Sequence, residues 1–247
     1  MSNLARLVLL PISILQIAVL VMSILGAGAP TSPFIAPERV LPVFQSIWGL
    51  IVLAYLAVAI MANLKPEHVE DRIAAPLALA GLGNVVWMAA AHMFSLAWLE
   101  TLILIPVLLC AWEAAYRLDV IGGFDGTGRR LLTCLLVGVL AGWLVITFAA
   151  SLPEIARRLL GRGVTDAVWH SLWLTLIPVA VLAWLFASKV SRNLWFFMAL
   201  GWGLLGLAAN TWLASETHGL AIAALVVLWI VIGRRLRYGA SGSSDAR

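Results

Sequence analysis

One pattern limits the folds open to this chain more than any other: eight stretches of about twenty residues that are almost pure hydrocarbon. They run near 7–26, 41–62, 76–95, 97–118, 131–151, 168–188, 194–213 and 217–236. Twenty residues of helix rise about 30 Å, the apolar thickness of a bilayer, and every polar atom within must find a partner there or at its edge. The expected fold is an all-α integral membrane protein of about eight transmembrane helices. Composition agrees, since only 11% of the residues are charged where a soluble domain carries about 25%.

Several function classes fall away at once. The net charge of +4 comes from basic residues scattered in short loops, with no folded basic domain, so nucleic acid is excluded as a partner. Cys110 and Cys134 both lie in apolar runs, where a thiol acts as a small hydrophobe and suggests no disulfide framework. No nucleophile elbow, phosphate loop, HExxH or pair of catalytic carboxylates is visible, so the chain is not read as an enzyme.

The connections order the spans. The run from Leu7 to Leu25 is longer than the apolar core of a cleaved signal, about 7–15 residues, and is read as a retained helix. The third and fourth spans nearly fuse, but one helix over both would be about twice the bilayer's apolar thickness, so the chain must turn near Ser95. In the fifth connection Ile155, Leu159 and Leu160 recur at helical spacing among Glu154, Arg157, Arg158 and Arg162, the pattern of a segment lying flat at the headgroups. Charge orients the set. Arg6, Lys65, Arg72, Arg117, Arg129, Arg130, Lys189, Arg192, Arg234, Arg235, Arg237 and Arg247 fall on one side, against Arg39, Arg157, Arg158 and Arg162 on the other. Twelve against four places both termini in the cytoplasm.

Function is then sought in the polar exceptions. Of the twelve tryptophans, Trp98, Trp169, Trp195, Trp212 and Trp229 suit the interfacial belt. Trp87, Trp112 and Trp143 lie deeper, where an indole packs the core or lines a pocket. Asn84 sits three residues before Trp87 and eight before His92 on one broad helical face, as helix-to-helix glue or as a ligand contact. Glu113 precedes Arg117 by one turn, which reads as a structural pair rather than a proton site. His92, His170 and His218 approach one face without ligand spacing, so no metal site is assigned.

Three motifs carry a resemblance. FQSIWGLIVLAY holds Phe44, Trp48 and Tyr55; GLGNVVW holds Asn84 and Trp87; GWLVITFAASL holds Trp143, Phe148, Ala149 and Leu152. In that order, on the second, third and fifth spans, they resemble the tryptophan-rich sensory protein family, TspO/MBR or translocator proteins, in its longer bacterial form. The chain departs from the family in lacking W-x-P-P in the first connection and in placing Pro153 where an asparagine closes the fifth helix.

The resemblance implies a five-helix bundle over 1–152 followed by a three-helix extension over 168–236; the residues themselves give the amphipathic connection over 153–167 and a disordered tail over 237–247. The resemblance also implies a pocket under the first connection for a flat hydrophobic ligand, a tetrapyrrole such as a porphyrin or a sterol-like molecule. Its walls would be Phe44, Gln45, Trp48, Tyr55, Asn84, Trp87 and Trp143. No cofactor is implied. The partners are the lipid bilayer, that small molecule and a second copy of the chain in a homodimer, and the location is a bacterial cell membrane. A small-molecule transporter is the alternative, which repeated halves or matching broken helices would favour; an enzyme or an assembly factor is the third reading.

Overall fold

A computed structural model describes residues 2–26, 36, 38–64, 71–94, 96–121, 130–163, 168–213 and 218–238. Among them there is no strand. Eight helices follow in chain order: α1 (Ser2–Gly26), α2 (Ile47–Leu64), α3 (Asp71–Met93), α4 (Ala97–Val120), α5 (Leu131–Leu160), α6 (Val168–Leu185), α7 (Leu194–Leu213) and α8 (His218–Tyr238). Seven contain a stretch long and apolar enough to cross a bilayer, and α8 contributes the shorter apolar run Ala221–Gly233. A 3-10 turn over Pro42–Ser46 leads into α2, and a π turn over Phe186–Val190 ends α6. α3 stops at Met93 and α4 starts at Ala97 and packs against it, so the third and fourth spans are two helices, as expected; Ser95 itself lies outside the described residues.

The bundle is built around α5, which packs against α2, α4, α6 and α7. α1 closes the far side on α2 and α3, and α8 covers α6 and α7. Small residues make the centre possible. Gly138 and Gly142 are one turn apart on the face of α5 that meets α7: a Cβ at Gly138 would stand 2.5 Å from Asn193 Nδ2, and one at Gly142 would run into the Phe196 carbonyl. This small-xxx-small spacing lets two backbones approach where lipid supplies no hydrophobic drive between helices. Asn193 uses the gap to donate to the Cys134 carbonyl at 2.8 Å. One continuous apolar core therefore runs from Leu9 on α1 to Val231 on α8. The last three helices are packed into it through α5.

Interior prolines leave carbonyls without donors, and one is visibly repaired. Pro76 has no N–H to give the Arg72 carbonyl; Arg117 Nη1, from the end of α4, donates to it at 2.9 Å. The same guanidinium holds Glu113 at 2.6 Å, so that pair is structural. Ser191 also donates to Asp119 at 3.3 Å. These bonds gather the start of α3, the end of α4 and the turn before α7 at one end of the bundle.

Two boundaries differ from the sequence expectation. α5 does not stop near 151: it continues through Pro153 to Leu160, so the first part of the connection expected over 153–167 is helix, not a separate segment lying flat. Its 30 residues rise about 45 Å, well beyond the apolar layer. Hydropathy marks where the apolar side chains end, whereas the backbone ladder runs on until Gly161, at φ 62°, closes it in the left-handed conformation. Likewise Arg237 and Tyr238, assigned to a disordered tail, belong to α8; the tail from residue 239 on lies outside the described residues.

Candidate functional site

The overhang of α5 organises the opposite end of the bundle. Glu38 of the first connection is 1% exposed and pairs with Arg157. Beside it Glu154 holds Arg158 at 2.8 Å and Arg39 at 3.5 Å. From α7, Asn210 Nδ2 donates to the carbonyls of Ala36 (2.9 Å) and Arg39 (2.8 Å). Trp202 Nε1 donates to the Phe44 carbonyl at 2.9 Å, and Val40 and Phe44 fill the space a Cβ at Gly206 would need. The described part of the first connection is thus strapped down by α5 and α7.

Beneath this strap three indoles meet. Trp48, in the first turn of α2, stacks on Trp87 of α3 with centroids 5.4 Å apart and planes at 27°. Trp143 of α5 meets Trp48 edge-on, at 6.3 Å and 87°. Trp143 is 2% exposed and Asn84, one turn deeper than Trp87, is 0% exposed. The indole N–H groups of Trp87 and Trp143 and both amide atoms of Asn84 have no hydrogen-bond partner among the described residues. An unmade bond at a buried polar atom costs about 1–3 kcal/mol, more in hydrocarbon. Four such atoms in one neighbourhood are a concentration that helix packing alone does not need.

The other expected site residues lie elsewhere. Phe44 turns to Trp202, 4.7 Å between centroids, outside the trio. Gln45 is exposed, with its amide 3.5 Å from the Val40 carbonyl, so it does not stand with the indoles as a polar contact. Tyr55 is buried two turns below Trp48, and its hydroxyl is engaged with the Leu77 carbonyl of α3 at 3.1 Å. Of the seven, the structure sets Trp48, Trp87 and Trp143 against one another, with Asn84 one turn along α3 from Trp87. Among the belt candidates Trp98, Trp212 and Trp229 are exposed, as lipid-facing indoles should be. The His218 ring lies 4.2 Å from Trp212; the side chains of His92 and His170 lie outside the described residues.

Sequence reasoning passed over four residues as contributors to this end of the bundle: Glu38 with Arg157, Asn210 and Gln16. Asn210 and Gln16 carried a legible signal, since each is an amide inside an apolar span, the criterion that selected Asn84. Glu38 and Arg157 carried none, because 119 residues separate them and each alone reads as a loop charge.

A family model described as TSPO-like protein matches residues 34–234. No curated protein and no solved structure matches the chain. The match leaves out α1 and takes in α2 to α7 and most of α8.

Proposed function

Because the chain belongs to the TSPO-like protein family, we propose that this integral membrane protein binds a flat hydrophobic ligand among Trp48, Asn84, Trp87 and Trp143 and acts as a sensor. The single observation behind this reading is the group of orphaned polar atoms around the three indoles. A planar guest of tetrapyrrole or sterol shape would gain stacking area from the rings and hydrogen bonds from groups otherwise unsatisfied. An amide donates and accepts hydrogen bonds and an indole N–H donates, but neither group titrates near neutral pH, so the reading is one of binding rather than turnover. The strap over this end would then bound the way in. With the positive-inside distribution, the same reading sets both termini in the cytoplasm of a bacterial cell and the strap on the outer side.

The test is titration of the detergent-solubilised protein with protoporphyrin while tryptophan emission is followed. Saturable quenching is expected, and Trp143→Phe should weaken it several-fold at unchanged melting temperature, since packing is largely kept while the N–H and part of the ring are lost. Quenching that rises linearly without saturation would leave the cluster as packing only.

A further inference from the structure

α1 lies outside the family match, yet it delivers a fully buried amide to the same region. Gln16 is 0% exposed. Its Nε2 is 3.4 Å from the Gly81 carbonyl, and a Cβ at Gly81 would stand 2.9 Å from that nitrogen and 3.1 Å from the Tyr55 ring. The bond fixes the amide's orientation: the carbonyl accepts, so the nitrogen faces it and Oε1 points away. That Oε1 has no hydrogen-bond partner among the described residues. Gly81 precedes Asn84 by one helical turn, and helix carbonyls point toward the C-terminus, so Gln16 is carried to the turn of α3 that bears Asn84. A lone acceptor on α1 and an unpaired donor and acceptor on α3 thus sit at one depth, below the indoles.

On the reading that the indole cluster binds a flat ligand, we infer that Gln16 is a specificity-determining residue. With Asn84 it selects ligands whose buried end is a neutral group that both donates and accepts, such as a hydroxyl or a lactam. The chemistry is that of the orphaned atoms. Gln16 Oε1 needs a donor; the Asn84 amide offers a donor and an acceptor; both are uncharged. An end group that only accepts leaves Oε1 unsatisfied. A carboxylate would have to give up its hydration to groups that supply no opposite charge. Gln16 also ties α1 to α3, and that role by itself would make it matter for stability without affecting which ligand is chosen.

The probes are dehydroergosterol and its 3-methyl ether, which share one flat fluorescent skeleton and differ in the hydroxyl hydrogen. Binding is read by energy transfer from tryptophan in the full-length protein. The unmodified protein should prefer the alcohol about tenfold, the scale of one buried hydrogen bond. Gln16→Met and Gln16→Leu should bring that preference close to one by weakening the alcohol, with the ether's affinity kept within about twofold. A lowered melting temperature with the tenfold preference intact would reduce Gln16 to a helix tie and overturn the inference. So would a preference near one in the unmodified protein, which decides the matter even if neither variant folds. Failure of both sterols while protoporphyrin quenching saturates overturns the inference and leaves the binding reading standing. Failure of all three probes removes the binding reading and the inference with it.

Discussion

Asn84 is the residue where stability and function should part company. Its two amide atoms are buried and unpaired among the described residues, so in the unliganded protein the side chain costs more than an apolar one of similar size. Asn84→Leu should therefore leave the melting temperature unchanged or raise it, while the affinity for dehydroergosterol falls by up to about tenfold, the scale of one buried hydrogen bond. Thermal unfolding and the energy-transfer titration, run on one preparation, check both signs. A fall in stability would mean that the amide is satisfied in the protein by something other than a guest. Asn84 was legible in the sequence because an amide in hydrocarbon demands an explanation. Tyr55 shows the limit of that logic: its motif position resembles a ligand contact, yet its hydroxyl is engaged with the Leu77 carbonyl, a choice made by the distance between two helices.

Among the elements, α5 sets two testable contacts. Its face toward α7 has no room at Gly142, where a Cβ would meet the Phe196 carbonyl. In an exposed helix, replacing glycine by alanine stabilises by up to about 1 kcal/mol. Gly142→Ala should instead destabilise, by about 1–3 kcal/mol, because backbone cannot move aside as a flexible side chain can. Chemical unfolding in mixed micelles gives the sign. The other contact is the Glu38 and Arg157 pair, nearly closed off from solvent. Removing one partner strands the other charge, which in buried pairs costs about 3–5 kcal/mol, while an apolar replacement of both is close to neutral. Glu38→Leu and Arg157→Leu should each lower the melting temperature and open the first connection to proteolysis, with the double variant recovering most of the loss. Equal damage in the double variant would show that the pair itself, not a stranded charge, accounts for the loss; no loss in either single variant would show that Asn210 and Trp202 hold the strap without help from the ion pair.

At the scale of the molecule, the two ends of the bundle carry different charges and different tasks. One end gathers Arg72, Arg117, Asp119 and Ser191; the other gathers the first connection with Glu154, Arg157 and Arg158. If the first end is cytoplasmic, a fluorescent protein fused to the C-terminus should glow when expressed in bacteria and a periplasmic alkaline phosphatase fusion should stay silent. The reverse pattern would turn the strap and the indole cluster toward the cytoplasm.

What the sequence determined by itself was set by short-range physics. Hydrocarbon runs long enough for a bilayer dictated helices and roughly where they start, because no other open structure satisfies its backbone in lipid. Local motifs on three of those runs picked out Trp48, Asn84, Trp87 and Trp143, since indoles and an amide are conspicuous there. The tertiary structure decided everything that depends on how far apart two helices stand. It carried α5 on past Pro153, because a backbone ladder does not end where hydropathy does. It joined Glu38 to Arg157 across 119 residues, drew Asn210 up to the first connection, and put Gln16 of α1 beside Gly81. None of these pairings has a sequence signature: Asn210 and Gln16 stand out as amides in apolar spans, but the partner each meets is decided only when the packing of small residues along α3, α5 and α7 sets the gap between helices.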